Sequence, residues 1–401
     1  MSQPVILIVD DEPFNVDYLE QELEDLGYDT VSAANGRQAL EQVAAQAPDV
    51  ILLDIMMPVM DGFQALEQLK SNKAWRDIPV IVISAMDDIG SVARGIQLGA
   101  EDYLPKPFDE VLLRARIGSS LEKKRLHDQE QLYLKSLERE LEIGRQIQAE
   151  FLPAELPQPT GWEIAAYFRA AREVAGDFYD AFRLAQDGKL GLVLGDVSGK
   201  GVGAALYMTL FRTLLRATTG IDELENCLER NGTLSHDSSE ARSSATLRNT
   251  MTLTNRYVAA NHGQSSMFAT IFFGVLDPVT GSLLYVNGGH EPPIIFGSGG
   301  VKDELEPTGP LVGIVLDLDF LVAEARLEPG DTLLAFTDGV TEARSPTGDL
   351  FGRERLLDLL GEPDCGVASL LDRVATAVQG HTGGSEQSDD ITMLAVQRAS
   401  T

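Results

Sequence analysis

The sequence predicts an α/β protein in two parts. A doubly wound parallel sheet comes first, a largely antiparallel, helix-covered sheet comes second, and a long helix joins them. Three observations predict this. Up to about residue 118, short apolar runs alternate with segments of helical spacing, the pattern of a parallel sheet covered on both faces. From about residue 160, strand-like runs follow one another with turn signals between them. Between about 109 and 152 there is no proline, and glycine occurs only at 118 and 144.

The elements follow in order. VILIV (5–9) is a continuous apolar run and reads as a buried strand. PFNVDYLEQELEDLG (13–27) has helical spacing at Phe14, Leu19, Leu23 and Leu26, with Gly27 as a stop. DTVSA (29–33) is strand-like, GRQALEQVAAQA (36–47) helical and DVILLD (49–54) a second buried strand. GFQALEQLK (62–70) and IGSVARGIQLG (89–99) read as helices, and PVIVISA (79–85) and DYLPKP (102–107) as strands. Sites in such sheets lie at the carboxyl ends of the strands. Asp10, Asp11, Asp54, Ser84 and Lys106 all fall at or near those ends.

The segment that follows is rich in Glu, Lys, Arg, Gln and Leu. Leu126, Tyr133, Leu137, Leu141, Ile147 and Phe151 form an imperfect apolar seam, the basis for expecting a coiled-coil homodimer through this helix. PAELPQP (153–159) ends it. Beyond it, GLVLGD, MFATIFFGVLD, GSLLYVNGG, DTLLAFTDG and ITMLAVQ read as strands, with apolar helices at 203–220 and near 354–379. Residues 232–246, GTLSHDSSEARSSAT, are polar and Ser/Thr-rich and are expected to form a mobile insertion. These divisions give expected domains at 1–120, 121–158 and 159–401.

Composition narrows the function. Hydrophobic residues make up 44% and charged residues 23% of the 401, an ordinary globular balance. No apolar run approaches the roughly 20 residues of a membrane span. MSQPVILIVDDEP has no basic leader, so neither signal peptide nor membrane is expected. Cys227 and Cys365 are the only cysteines, which offers no disulfide framework and fits a reducing cytoplasm. The net charge is -30, and the one short basic run, Lys123-Lys124-Arg125, reads as a solvated helix face. DNA is therefore not an expected partner.

The acids at strand ends carry the chemistry, and they form two sets. Asp10, Asp11 and Asp54 can hold a Mg²⁺, beside which an aspartate accepts a phosphoryl group. The Ser84 hydroxyl and the Lys106 ammonium can bind the phosphoryl oxygens. The second set is Asp177, Asp196, Asp338 and Asp389, three of them beside Gly176, Gly195 and Gly339, where backbone can approach a ligand. Four such acids suit two divalent ions that activate water for attack on phosphorus. His290, in NGGHEPP, is expected to be a structural loop residue.

Two resemblances sharpen this. IVDDE, LLDIMMPVMDG, VISA and LPKPF occur in an order that makes residues 4–120 similar to a response-regulator receiver domain. The resemblance implies a flavodoxin-like sheet, Asp54 as phosphoacceptor and Mg²⁺ at Asp10, Asp11 and Asp54. It also implies Ser84, Tyr103 and Lys106 as switch residues and a histidine kinase as partner. REVAGDFYDAF, GDVSGKGVGAALYM, YVNGGHEPPIIF, GDTLLAFTDGVTEAR and SDDITMLAV make residues 160–398 resemble the SpoIIE and RsbU type of PPM Ser/Thr phosphatases. That resemblance implies a helix-covered β-sandwich with Asp177, Asp196, Asp338 and Asp389 as catalytic metal ligands for two Mn²⁺ or Mg²⁺. Val197 would add its backbone carbonyl. Asp390 stands where the wider class often has asparagine and is expected behind the direct ligands or as an alternate to Asp389, Asp180 is open to either role, and Ala175 replaces a glycine of the family pattern.

The combined expectation is a phosphatase controlled by phosphorylation of Asp54. Its substrate would be a phosphorylated anti-sigma-factor antagonist. The rival is a phosphorylation-gated adaptor with an inactive phosphatase fold that sequesters a partner, although a fold that does no chemistry gains nothing by gathering four like charges.

Overall fold

The structure is a computed structural model that describes residues 3–85, 89–184, 188–230, 239–361 and 366–400, without the side chains of 89, 222–230 and 264. It comprises two compact units, Met1–Glu138 and Arg139–Thr401. In the first, β1 (Val5–Val9), α1 (Pro13–Asp25), β2 (Asp29–Ala33), α2 (Gly36–Ala45), β3 (Val50–Asp54), α3 (Gly62–Ser71), β4 (Val80–Ala85), α4 (Ile89–Gln97) and β5 (Asp102–Lys106) alternate as expected. The five strands pair in parallel in the order β2-β1-β3-β4-β5. Every residue of β3 is buried, and helices cover both faces of the sheet: Leu7, Leu53 and Val82 point to one core, Ile8, Leu52 and Ile83 to the other. The order changes direction at β1 and β3, which brings their carboxyl ends together.

The expected long helix is a single one, α5 (Glu110–Phe151), and it passes through Gly144 without a break. Leu113 and Ile117 anchor its start in the first unit's core. Leu126, Tyr133 and Leu137 along its middle are exposed.

The second unit is a sandwich with helices on both outer faces. β6 (Trp162–Arg169), β7 (Phe178–Arg183) and β8 (Leu190–Val197) precede α6 (Val202–Arg230) and α7 (Ser239–His262). β9 (Ala269–Leu276), β10 (Ser282–Gly288), β11 (Ile294–Gly297), β12 (Gly300–Glu304), β13 (Ala323–Arg326) and β14 (Thr332–Phe336) follow. The short α8 (Asp338–Thr341), α9 (Gly352–Leu360), α10 (Val367–Thr382) and β15 (Ile391–Arg398) complete it. The two antiparallel sheets have the orders β13-β10-β9-β8-β7 and β12-β11-β14-β15-β6. Strand alternation divides the apolar residues. Leu192, Leu194 and Phe272 of one sheet meet Leu333, Ala335 and Leu394 of the other. Val193, Ile271 and Phe273 face α6 and α7, while Leu334, Phe336 and Met393 face α9 and α10.

Two expectations change. The polar stretch 232–246 is not an insertion throughout: residues 232–238 lie outside the described residues, but Ser239 opens α7. Ser243, Thr246, Thr250 and Thr254 are buried there, because short polar side chains let α7 pack closely on α6 and the sheet. The helical stretch near 354–379 is two helices, α9 and α10. No described helix is long and apolar enough to cross a membrane.

Candidate functional site

The first set of acids converges as expected. Asp10 follows β1 and Asp54 ends β3, and both are buried while Asp11 is exposed. One oxygen from each of Asp10, Asp11 and Asp54 lies within 4.8 Å of the others. Lys106 Nζ stands 2.9 Å from Asp10 Oδ2 and 2.9 Å from Asp54 Oδ2. Burial raises the Asp54 carboxyl above its ordinary value, although the Lys106 hydrogen bond and charge pull the other way. Burial alone would lower Lys106. The hydrogen bonds and charges of Asp10 and Asp54 outweigh it and hold the ammonium above its usual range.

The remaining residues of this set differ in how close they stand. Ser84 is buried at the end of β4, opposite Pro105 and one pair before Lys106 in the parallel register. Tyr103 is 37% exposed, with the Arg116 guanidinium 5.6 Å from its ring centre. Asn15 escaped the sequence reading. Its Nδ2 donates to both carboxylate oxygens of Asp10 at 3.1 Å, from the first turn of α1. The hard oxygen donors of the trio fit Mg²⁺ or Mn²⁺.

The second set lies at one mouth of the sandwich. Antiparallel pairing puts the start of β7 beside the end of β8, with Phe178 opposite Gly195, and the end of β14 beside the start of β15, with Phe336 opposite Met393. Alternation then selects which side chains face inward. Asp196 continues the row of Leu192 and Leu194, and Asp177 the row of Ala181, so both face the space between the sheets. By the same count Thr337 and Thr392 extend the inward rows of the other sheet. The apolar core thus becomes polar at its end.

Contacts there are specific. Asp177 Oδ2 accepts from Thr337 Oγ1 at 2.8 Å and from Thr392 Oγ1 at 2.6 Å, across the two sheets. Asp338 opens α8, and Gly339 beside it leaves no room: a Cβ there would stand 1.8 Å from the Asp390 carbonyl oxygen. Asp389 Oδ2 pairs with Lys200 Nζ at 2.8 Å. Val197 ends β8, and its carbonyl oxygen approaches Gly176 so closely that a Cβ on residue 176 would meet it at 2.8 Å.

The charges of this set work against one another. Burial, with Asp196 and Asp390 nearby, holds Asp177 well above the usual carboxylate range. Burial raises Asp196 to about 6, Asp389 and Asp390 adding to it and a hydrogen bond with Asp177 opposing it. Asp338 is raised to about 7 by burial and by Asp196, Asp389, Glu342 and Glu291. Converging acids that resist ionisation fit a cation between them. The set is more open than the first. Among the described residues, only Asp10, Asp11 and Asp54 bring three carboxylates within 4.8 Å.

Two acids that the sequence left open are now placed. Asp180, on the opposite row of β7, is buried against α6, where Arg216 clasps it at 2.7 and 2.9 Å and Arg212 approaches to 2.9 Å. It faces away from the mouth where Asp177 and Asp196 meet. Asp390 accepts from the Ala171 and Gly176 backbones, both at 2.7 Å, and so ties the 171–176 loop to the start of β15. Gln148, unmarked in the sequence, reaches the same loop from the last turns of α5. Its Nε2 donates to the Ala175 carbonyl at 2.7 Å, and its Oε1 accepts from the Ala175 N–H at 3.0 Å.

Comparison with known proteins agrees with both halves. The family model for Stage II sporulation protein E (SpoIIE) matches residues 186–399, and that for the response regulator receiver domain matches residues 6–118. Protein IcfG of Synechocystis sp. is 46% identical over 263 residues, covering 65% of this chain and 41% of that protein. Response regulator PleD of Caulobacter vibrioides is 46% identical over 114 residues, 28% of this chain and 25% of that one. The chain thus spans well under two thirds of these relatives. The SiaA-PP2C domain of Pseudomonas aeruginosa shares the fold, with a TM-score of 0.52, 21% identity and coverage of 66% of this chain and 98% of that one. A SpoIIE match over more than half of the chain, on a sandwich with acids at its mouth, shows that the chain belongs to the SpoIIE family, here behind an N-terminal response regulator receiver domain.

Proposed function

We propose that this chain is a metal-dependent protein-serine/threonine phosphatase governed by phosphorylation of Asp54. The observation that carries the catalytic half is the cluster of Asp177, Asp196, Asp338 and Asp389, two of them raised to about 6 and about 7. Asp177, Asp196, Asp338, Asp389 and the Val197 carbonyl would hold two Mn²⁺ or Mg²⁺. Two such ions would supply Lewis acidity toward a phosphoryl oxygen and lower the pKa of water. Thr337 and Thr392 orient Asp177, and Lys200 orients Asp389.

In the receiver, Asp10, Asp11 and Asp54 would hold one Mg²⁺. Asp54 would accept the phosphoryl group from a histidine kinase, with Lys106 and Ser84 on its oxygens and Tyr103 as the responding ring. The expected domains 1–120, 121–158 and 159–401 make α5 the link between input and output. The Gln148–Ala175 clamp supports that role, since it joins the end of α5 to a loop two residues from Asp177. We place the exposed residues of α5 in a homodimer contact, and assign a phosphorylated anti-sigma-factor antagonist as substrate, in the cytoplasm.

Hydrolysis of p-nitrophenyl phosphate and of a phosphoserine antagonist with Mn²⁺ tests the reading, with and without an acyl-phosphate donor. Activity in wild type that disappears in folded Asp196→Ala is expected. Equal inactivity of the two proteins while folded would overturn the catalytic claim and favour the adaptor.

A further inference from the structure

His290 sits in the NGGHEPP turn after β10, outside every role assigned so far. The turn is built to hold it. Asn287 is fully buried, accepts from the His290 N–H at 2.8 Å and donates to the His290 carbonyl at 3.1 Å. Gly289 has φ +70, and a Cβ there would meet Leu311 at 2.7 Å. The ring is 3% exposed, and burial lowers its pKa to about 4, so it is neutral at physiological pH. Its Nδ1 lies 2.8 Å from Thr270 Oγ1. Its Nε2 makes no hydrogen bond within the protein, and the Phe336 backbone lies near the ring.

Both neighbours lead to the site. Thr270 stands directly opposite Asp196 in the β8–β9 register, on the inward row that Phe272 continues, so the Thr270 and Asp196 side chains share a face. Phe336 ends β14, two residues before Asp338. The ring therefore spans from the sheet carrying Asp196 to the end of β14, just before Asp338. A neutral imidazole with its proton on Nε2 accepts the Thr270 hydroxyl proton at Nδ1. The Thr270 hydroxyl then has no proton to give Asp196, whose oxygens stay open to a cation.

We propose that His290 is a positioning residue for the metal site, acting through Thr270 on Asp196 and bracing the two sheets at the mouth of the sandwich. This rests on the metal-site reading of the second acid set and touches no substrate. Partners behind metal ligands commonly set affinity by about 10–100-fold.

The test is a Mn²⁺ binding isotherm by electron paramagnetic resonance on the full chain, in an Asp11→Asn background that removes one carboxylate of the receiver trio. His290→Ala and Thr270→Val should each weaken Mn²⁺ binding at the second site about tenfold. Because the two act in one chain of contacts, the double variant should be no weaker than the worse single one. His290→Asn, which returns an amide near the Nδ1 position, should recover most of the loss. Thr270→Val keeps shape and decides the matter should His290→Ala fail to fold. Folded Thr270→Val with wild-type Mn²⁺ affinity would overturn the proposal, as would additive losses in the double variant. Wild type that binds Mn²⁺ with this coupling but hydrolyses no phosphomonoester would instead refute the phosphatase reading and leave the positioning role standing.

Discussion

Replacing Gln148 by leucine isolates the contact between α5 and the loop before Asp177. Gln148 is buried, and leucine fills nearly the same volume without its two hydrogen bonds. The loss therefore reports on polar pairing more than on packing. The Ala175 N–H and carbonyl would be left in a buried setting, at a cost of about 1–3 kcal/mol for each group. Partial relaxation of the loop reduces the sum, so about 2–4 kcal/mol is expected, or roughly 5–15 °C in the melting of the second unit. Since Gly176 and Asp177 follow directly, Mn²⁺-dependent hydrolysis should fall as well. Gln148→Glu adds a check of sign. A carboxylate faces the Ala175 carbonyl with no proton to donate, whereas a carboxylic acid restores the donor. Its folded pKa is then raised, so its stabilisation is present at low pH and lost as pH climbs through the folded value. Differential scanning fluorimetry and p-nitrophenyl phosphate turnover, each across pH, measure both variants. A leucine variant that melts within about 1 °C of wild type and turns over normally would refute the claim that α5 orders this loop.

Further outcomes are expected. Thr337→Val with Thr392→Val removes both donors to Asp177 Oδ2 and should weaken Mn²⁺ binding by about tenfold, read by titration. Gly339→Ala drives a Cβ into the Asp390 carbonyl and should cost about 3 kcal/mol or more, seen as a lowered melting temperature even without metal. Lys106→Met should abolish the response of phosphatase activity to an acyl-phosphate donor while basal hydrolysis persists. In EDTA, stability should fall as pH rises from about 4 to about 7, because Asp196 and Asp338, raised to about 6 and about 7, bind protons more tightly folded than unfolded. Asp338→Asn should flatten that slope, and Mn²⁺ should stabilise wild type more at pH 8 than at pH 5.

Much of this was readable in the chain because its signals are local. Short continuous runs such as VILIV and DVILLD, set between helical segments, read as strands buried on both faces, and the acids at their ends follow the sheet. What stayed hidden depends on partners distant in sequence. Thr337 and Thr392 look like ordinary strand residues until the two sheets meet over Asp177. Gln148 is one glutamine among several in a polar helix, and only the fold brings it to Ala175. The polar composition of 239–246 misled because Ser and Thr can favour close packing as well as disorder. Asp180 was resolvable in principle, since alternation along FYDAF sets it on the opposite face from Asp177, but the inward row had to be known first.

The two acid sets differ in how they meet their own repulsion, and that difference fits their proposed tasks. Lys106 bridges Asp10 and Asp54 from within the first set, so the receiver site can stand ready between phosphorylation events. In the second set the cation in contact, Lys200, pairs with Asp389 and its charge also reaches Asp196, while Asp177 deeper in the mouth has two neutral threonine donors and the neighbouring acids. Neutral donors orient a carboxylate without cancelling its charge. Under the proposed function, the inner acids would be relieved by protons at low pH and by divalent ions at neutral pH. Gln148 holds Ala175 two residues from Asp177, so if the proposed function is right, a small shift at the end of α5 would change how well Asp177 holds those ions.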